Sequence, residues 1–341
     1  MKNNASNSSI IQVLQAQAQQ LLPAITQALS VWQYTEIAHQ RFGQQTTVPT
    51  KAVKTPIIEN HSYQGLTRAK HPQFGSVMIK WQLKAHDSHC SSDLNHEVDV
   101  LKSLNYLSPV HLLPTRSHLA AIVPSILAYH NVDIQALGES QQLTVLVMPY
   151  YANGNLAKQL INRNHSLLTD KQKHNFINQT AHLVANLHNA GWLHNDIKPS
   201  NILLDGHSVD KAENSSKMAD LLITDFALAE RVDKPREVNL AGTPAYLAPE
   251  RWQGQAATAQ SDIYALGIMM VEVLVGNRPF KINTQSSDPM MDWAIQHCQQ
   301  PIPKLPIEYA HYQSIIDRAL AKRVERRYES MDELLEILKS L

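Results

Sequence analysis

The stretch WLHNDIKPSNILL at residues 192–204 places a short polar loop between two apolar segments. Asp196 is followed two residues later by Lys198 and five residues later by Asn201. A carboxylate, a cation and an amide at this spacing fit a loop that handles phosphate and metal ions. They fit a solvated turn between two apolar elements as well, so the rest of the chain has to decide between the two interpretations.

Further short motifs precede and follow this loop. They are VMIK ending at Lys80, Glu97 within a helical segment, HND-K-N at 194–201, DFA at 225–227, GTPAYLAPE at 242–250 and SDIYALG at 261–267. In this order and at about this spacing they resemble the signature set of the eukaryotic-like Ser/Thr protein kinases, and GTPAYLAPE is most similar to the bacterial members. The resemblance covers roughly residues 60–340 and leaves the first 60 residues unexplained.

The hydrophobic pattern predicts a β-rich half followed by an α-rich half. Strands are expected at 77–83, 143–151, 201–204 and 221–225, and helices at 93–104, at 176–191 and in several segments after 262. The expected fold is therefore α+β and bilobal, protein-kinase-like, with a β-rich N-lobe, an α-rich C-lobe and the cleft between them.

The expected domain boundaries set the N-terminus apart. Residues 1–60 are predicted to be a helical extension with a linker, and 61–341 the kinase domain, divided into an N-lobe with hinge at 61–151 and a C-lobe at 152–341. Within the extension, apolar spacing predicts a helix over 10–38 that is divided at Pro23, and Pro49 and Pro56 indicate a linker over 41–60.

The residue types suit phosphoryl transfer, which needs positioned cations and little covalent chemistry. Lys80, at a strand end, can reach the α- and β-phosphates of a nucleotide, and Glu97 can hold its ammonium group in place. Asp225 follows the apolar LLIT, where a carboxylate can bind a metal ion, and Asn201 offers a second oxygen ligand. Oxygen ligands of this kind favour Mg2+ or Mn2+.

The family resemblance implies roles for the remaining polar residues. Asp196 is the expected base that orients the acceptor hydroxyl, and Lys198 steadies the γ-phosphate of ATP, as in Ser/Thr-directed kinases. Thr243 is expected to link the substrate-binding loop to both. Asp262 is expected to brace the loop through backbone N–H groups, with His194 packed beneath it.

Two further assignments follow from the same resemblance. Met148 matches the gatekeeper, so that adenine would hydrogen-bond the backbone near Tyr150 and Tyr151. Glu250 matches a buried acid that pairs with an arginine near the C-terminus, for which Arg327 is the candidate.

The chain departs from the family pattern first in its glycines. Between 62 and 77 it has Gly65 and Gly75 where the family has G-x-G-x-x-G. Gly65 is the better match to the phosphate-covering loop, and Gly75 indicates a hairpin turn before the VMIK strand. Because glycines let backbone N–H groups approach phosphate closely, weaker ATP binding is expected.

Two other departures concern the segment after the metal motif. Asn195 replaces the arginine that in most kinases pairs with a phosphorylated residue, and LAERVDKPREVNLA at 228–241 contains no Ser, Thr or Tyr. The two absences agree and predict a segment that is ordered without phosphorylation. Ala227 stands where the motif has glycine, which would restrict the backbone if that position needed a positive φ.

Composition gives no bulk argument for other functions. With 30 basic and 30 acidic residues, no nucleic-acid partner is expected. The sequence shows no secretory signal and no segment apolar enough for a membrane span. The expectation is a cytoplasmic protein whose partners are protein substrates with Ser or Thr acceptors. The N-terminal helix either packs on the smaller lobe or docks a partner.

Three functional classes remain open. The leading one is an active Ser/Thr protein kinase. A pseudokinase scaffold is the first alternative. The joint retention of the expected catalytic residues argues against it, and these residues are Lys80, Glu97, Asp196, Asn201 and Asp225. The second alternative is an aminoglycoside-type small-molecule phosphotransferase. Lys198 and the GTPAYLAPE segment argue against it, because they favour a peptide acceptor.

Overall fold

The computed structural model describes residues 2–46, 61–85, 93–107, 122–161, 168–206, 220–233, 240–283 and 285–341. The chain divides into two compact units, Met1–Lys102 with Pro124–Tyr150, and Ser103–Val123 with Tyr151–Leu341. The first unit holds a five-stranded sheet and the second is mainly helical. The predicted α+β class is thereby confirmed.

The sheet of the first unit is antiparallel throughout, in the order β1-β2-β3-β5-β4. Its strands are β1 Thr35–Thr46, β2 His61–His71, β3 Gly75–Lys84, β4 Ala128–Ala136 and β5 Glu139–Pro149. Because side chains alternate along a strand, Val77, Ile79 and Trp81 of β3 share one face and are fully buried. Lys80 and Gln82 lie on the other face.

Helix α1, Lys2–Val31, covers the apolar face of this sheet. Leu21, Ile25 and Leu29 are fully buried in one cluster with Trp81 and its neighbours. The predicted break at Pro23 is wrong, because the helix runs through it. We attribute this to the burial of Leu21 and Ile25 on either side, which offsets the hydrogen bond that proline cannot donate. The helix also ends at Val31, earlier than residue 38.

Strand β1 corrects the first part of the expected linker. Residues 41–46 belong to β1, while 47–60 lie outside the described residues. Both α1 and β1 are part of the first compact unit, so this unit begins well before residue 61. The strand was hidden because TEIAHQRFGQQT is polar and its pairing with β2 shifts register between Thr35 and Ala38 and between His39 and Arg41.

Helix α2, Leu94–Leu107, follows β3 in the chain and confirms the helix predicted at 93–104. Its described residues up to Lys102 belong to the first unit. Val98 and Leu101 are buried on its inner side, and so is the carboxylate-bearing Glu97, which is only 1% exposed. A nearly fully buried carboxylate needs a partner.

The second unit is built mainly from helices. They are α3 Leu156–Ile161, α4 Asp170–Asn189, α5 Pro249–Trp252, α6 Ala259–Val275, α7 Pro289–Gln299, α8 Gln313–Ala319 and α9 Met331–Leu338. Helix α6 is buried along nearly its whole length, which identifies it as the centre of this core. Helix α4 begins with a capping box at Thr169 and Gln172 and is followed by Gly191 at φ 80°.

Short strands carry the loops of the second unit. They are β6 Trp192–Leu193, paired with β9 Glu230–Arg231, and β7 Ile202–Asp205, paired with β8 Asp220–Ile223. The strands predicted at 201–204 and 221–225 are thus confirmed to within two residues. Most of the polar segment between them, 207–219, lies outside the described residues.

A buried ion pair joins distant parts of this unit. Nη1 and Nη2 of Arg327 donate to Oε1 and Oε2 of Glu250 at 2.8 and 2.7 Å. Both residues are at least 96% buried, and the bidentate geometry satisfies both carboxylate oxygens. The pairing predicted for these two residues is confirmed. Among the described helices, none combines the length and hydropathy needed to cross a bilayer.

Candidate active site

Strand β3 and helix α2 bring Lys80 and Glu97 together in the first unit. Nζ of Lys80 lies 2.5 Å from Oε2 of Glu97. The glutamate side chain is 2% exposed and the lysine side chain 22%. The carboxylate is therefore enclosed and holds the lysine, while part of the lysine side chain remains accessible.

In the second unit a triangle of hydrogen bonds joins Asp196, Lys198 and Thr243. Lys198 donates from Nζ to Asp196 Oδ2 at 2.5 Å and to Thr243 Oγ1 at 2.7 Å. Thr243 donates to Asp196 Oδ1 from Oγ1 at 2.7 Å and from its backbone N–H at 3.0 Å. The structure thus places together the three residues expected to act on the acceptor and the γ-phosphate.

Asn201 adds a fourth member and connects the triangle to Asp225. It lies in a 3-10 turn, Pro199–Asn201, and is 5% exposed. Its Nδ2 donates to the backbone oxygen of Asp196 at 3.0 Å, which fixes the amide orientation. Its own backbone oxygen accepts from Thr224 N at 3.0 Å, immediately before Asp225.

The carboxylate of Asp225 and the amide oxygen of Asn201 are the residues that could hold a metal ion. Hard oxygen donors of this kind suit Mg2+ or Mn2+. Among the described residues there is no cluster of three or more His, Cys, Asp or Glu side chains that could hold a metal. Asp225 has a φ of 70°, a left-handed conformation that is costly outside glycine and typical of functional positions.

Asp262 braces the loop from below, as predicted. Its two oxygens accept from the backbone N–H groups of His194 at 2.8 Å and Asn195 at 2.9 Å, and from Nε2 of His188 at 2.9 Å. Burial alone would raise the pKa of Asp262, but the hydrogen bonds and charges of His188 and His194 bring it below its usual value. His188 was not predicted. Its signal is a histidine near the end of α4, six residues before His194.

Asn195 ties this loop to the segment after the metal motif. Its Nδ2 donates to the backbone oxygen of Leu228 at 2.9 Å, and its φ is 66°. Gly242 packs closely against Asn195, because a Cβ added to Gly242 would lie 3.2 Å from the backbone oxygen of Asn195. The φ of Gly242 is 128°. The amide of Asn195 therefore links the loop directly to this segment, at the position where the family pattern has an arginine.

The substitution at Ala227 has no backbone consequence here. In the described part of this segment, positive φ occurs at Asp225 and not at Ala227. The methyl group is therefore compatible with the observed conformation.

Gly65 lies in a strand and not in the expected loop, and its role towards phosphate stays a prediction. It lies inside β2, opposite Trp81 of β3. A Cβ at this position would meet the Trp81 ring at 2.2 Å, so the glycine leaves room for the indole. Gly75, with φ 70°, closes the β2–β3 hairpin as predicted. The connection between β1 and β2 contains 47–60, outside the described residues.

The expected adenine-binding positions fall at the end of β5 and beyond it. Met148 is 6% exposed in β5. Tyr150 donates its backbone N–H to Ser76 at 3.1 Å, and Arg68 lies over its ring at 4.1 Å. Tyr151 belongs to the second unit, where burial, with Asp205 nearby, raises the pKa of its phenol to about 12. The backbone N–H of Tyr150 is therefore already used within the first unit.

Comparison with known proteins shows which family the chain matches. Residues 73–337 match the family described as Protein kinase domain. The chain is 29% identical over 211 residues to a probable serine/threonine-protein kinase PknB of Lactococcus lactis, covering 60% of this chain and 31% of the relative. It is 31% identical over 210 residues to the serine/threonine-protein kinase PrkC of Bacillus subtilis, covering 60% and 30%. The chain thus spans about a third of the length of these relatives.

A solved structure shows the same fold. The kinase PK-1 of the Cydia pomonella granulovirus superposes with a TM-score of 0.58 at 18% identity, covering 92% of this chain and 96% of that one. At this identity the likeness concerns the fold alone. The matched family covers most of the chain, and the chain therefore belongs to the protein kinase domain family, with bacterial Ser/Thr kinases among its relatives.

Proposed function

We propose that this chain is an ATP-dependent Ser/Thr protein kinase that works without phosphorylation of its own activation segment. The observation that carries the proposal is the hydrogen-bonded triangle of Asp196, Lys198 and Thr243. It combines a carboxylate for the acceptor hydroxyl, a cation for the transferred phosphoryl group and a link to the GTPAYLAPE segment. Family membership and the names of the bacterial relatives support the same activity.

The hydrogen bonds of Asp196 indicate how the site becomes competent. Oδ1 accepts from the N–H and hydroxyl of Thr243. Oδ2 accepts from Lys198 at 2.5 Å and lies 3.3 Å from Nδ2 of Asn201. A carboxylate offers about four lone-pair sites, so all are engaged. We infer that Lys198 turns to the γ-phosphate when ATP binds, which frees Oδ2 for the acceptor hydroxyl.

The transfer itself requires little from the protein beyond position and charge. The acceptor oxygen attacks the γ-phosphorus while the bond to the β-γ bridging oxygen breaks, and ADP leaves. Asp196 orients the hydroxyl and receives its proton. Lys198 follows the phosphoryl group, and Thr243 holds Asp196 in line.

The remaining residues would bind the nucleotide. Lys80, held by Glu97, would contact the α- and β-phosphates, and Asp225 and Asn201 would hold Mg2+ or Mn2+. When bound, the metal neutralises charge on the β- and γ-phosphates. Adenine lies against the backbone after Met148; since the N–H of Tyr150 bonds Ser76, the N–H of Tyr151 is the better donor for it.

Independence from phosphorylation is supported by the contacts of Asn195. Its amide bonds Leu228, and residues 228–241 contain no Ser, Thr or Tyr. On β9, Glu230 is 7% exposed. Its register partner on β6 is Leu193, and a carboxylate at this place would repel a phosphate. Partner docking through α1 is not proposed, because Leu21, Ile25 and Leu29 on one face of this helix are packed within the first unit.

The test is transfer of radiolabel from ATP, with Mg2+ or Mn2+, to a generic basic protein and to aminoglycosides. The wild type should label serine and threonine of the protein, and Asp196→Ala should not. Asp220→Asn, an exposed aspartate in the same unit, is the matched control and should retain activity. Nucleotide binding without transfer would favour a pseudokinase, and label on aminoglycosides alone would favour a small-molecule phosphotransferase.

A further inference from the structure

We propose that Gln82, Asn95 and Tyr129 are positioning residues that fix the first turn of α2 on the sheet and so keep Glu97 where it holds Lys80. This inference rests on the proposed function, because Lys80 has to be held only if it contacts nucleotide phosphates. It assigns to the first unit its own means of arranging that lysine, without a bound activator.

The first anchor comes from β3. Oε1 of Gln82 accepts the backbone N–H of Leu94 at 2.9 Å, and the two residues are 3% and 5% exposed. The first N–H groups of a helix have no partner within it, so a buried side-chain acceptor fixes the helix start. Gln82 lies two residues after Lys80 on the same face of β3. One strand thus presents both the lysine and the acceptor that anchors the helix.

The second contact adds charge at the residue before the helix. Nζ of Lys84 lies 3.0 Å from Oδ2 of Asp93, while Oδ1 accepts from N and Nδ2 of Asn95 at 3.0 and 2.9 Å. Burial alone would raise the pKa of Asp93, but the hydrogen bonds from Asn95 and Lys84 lower it below the usual value. This cap also fixes the orientation of the Asn95 amide, since its Nδ2 is committed to Asp93.

The third anchor comes from β4, on the far side of β5. The hydroxyl of Tyr129 donates to Oδ1 of Asn95 at 2.5 Å. Two turns further along α2, Nζ of Lys102 lies 5.0 Å from the centre of the Tyr129 ring. One tyrosine on β4 therefore contacts α2 at two points, by a hydrogen bond and by a cation–π contact.

Together the anchors restrict how α2 can turn. Strands β3 and β4 flank β5, so the two strands that carry Gln82 and Tyr129 are about 10 Å apart at the usual strand spacing. On α2 they hold the neighbouring residues Leu94 and Asn95. Glu97 lies three residues after Leu94, in the same first turn of α2. A rotation of α2 that carried Glu97 away from Lys80 would have to break the Gln82–Leu94 or the Tyr129–Asn95 hydrogen bond.

The experiment is a double-mutant cycle read by titration with MgADP. Tyr129→Phe removes only the hydroxyl and should weaken MgADP binding about 3- to 10-fold, the usual effect of one lost hydrogen bond. In a Glu97→Gln background the same change should have little further effect, since the residue acts through Glu97. Hydrogen exchange at the first turn of α2 should be faster in Tyr129→Phe.

Tyr63→Phe is the matched control. Tyr63 is a buried tyrosine of β2 in the same unit, stacked on Phe42 in the cluster that α1 covers. The Tyr63→Phe variant should leave the affinity for MgADP and the hydrogen exchange of α2 unchanged. An equal loss of affinity in both Glu97 backgrounds, or unchanged exchange in Tyr129→Phe, would overturn the proposal.

The outcomes also separate this inference from the proposed function. If the wild type binds MgADP and shows the cycle but transfers no phosphate, the kinase activity is refuted and the positioning role stands. If the wild type transfers phosphate but the cycle shows no coupling, only the positioning role is refuted. A wild type that does not bind MgADP would overturn both.

Discussion

Thr243 donates two hydrogen bonds to one oxygen of Asp196, from its hydroxyl at 2.7 Å and from its backbone N–H at 3.0 Å. The residue thereby joins the segment that begins at Gly242 to the loop that carries Asp196, 47 residues earlier in the chain. We expect these two bonds to hold the proposed base in the orientation that an acceptor hydroxyl needs.

Thr243→Ala should lower kcat about 10- to 100-fold, because it removes a hydrogen bond to a charged group. Thr243→Ser keeps the hydroxyl and should retain most of the activity. Steady-state kinetics with a protein acceptor measures the effect. A Thr243→Ala variant with unchanged kcat would show that the triangle has no catalytic role.

Two substitutions of Asn195 should separate the effect of backbone strain on stability from the effect of the side-chain hydrogen bond. Asn195→Gly tolerates the φ of 66° but loses the bond to Leu228. Asn195→Ala loses the bond and also strains the backbone, so it should be less stable than the glycine variant by about 1 kcal/mol. Urea denaturation of the two variants tests this. Equal stability would mean that the left-handed conformation is not maintained.

The ion pair of Glu250 and Arg327 should matter far more than a surface pair. Arg327→Ala leaves a carboxylate buried without its partner and should cost about 3 to 5 kcal/mol of unfolding free energy. Lys339→Ala removes the exposed partner of Glu336, whose side chain is 70% exposed, and should cost less than about 1 kcal/mol. Denaturation midpoints of the two variants compare the sites. Similar losses would contradict the burial argument.

Stability should depend on pH through His297. This residue is fully buried, and its pKa is lowered to about 3, chiefly by burial and further by the cations of Lys322 and Arg278. Below the ordinary histidine pKa of 6.5, the unfolded chain binds a proton that the folded chain does not. Its contribution is therefore complete above pH 6.5 and is lost as the pH falls towards 3, by about 1.4 kcal/mol per pH unit.

His297→Asn should flatten this part of the profile. Asparagine cannot titrate, yet its side-chain oxygen can still accept from the Tyr264 hydroxyl, which lies 2.9 Å from Nδ1 of His297. Unfolding free energies at pH 7, 6 and 5 for both proteins measure the difference, and titrations common to both cancel. Parallel profiles would show that His297 remains accessible to protons.

Strong local patterns made part of the fold predictable. Strand β3, helix α2 and strand β5 are continuous apolar or periodic segments, and the structure has them where the pattern predicted. Strand β1 could not be found because it is a polar, irregularly paired edge strand. Strand β4 was missed although Val132, Ile134 and Ala136 alternate with polar residues, a pattern that is typical of a strand.

In the candidate site, too, some features could be predicted from the sequence and others could not. Motif order singled out Asp196, Lys198 and Thr243, and the structure places these three within hydrogen-bond distance of one another. Their catalytic roles stay predictions. Gly65 was expected in a loop, but it lies in β2, where a side chain would collide with the Trp81 ring of the neighbouring strand. The sequence does not show this contact. The anchors of α2, such as Tyr129 on Asn95, link residues 34 positions apart, and no local pattern records such a pair.

The most direct test of kinase activity without phosphorylation is phosphoryl transfer by protein that has first been treated with a phosphatase, beside Asp196→Ala treated in the same way. We predict that the wild type transfers label from ATP to serine and threonine at an undiminished rate, and that the variant transfers none. Loss of activity on phosphatase treatment would contradict independence from phosphorylation, and equal label from both proteins would contradict the role of Asp196.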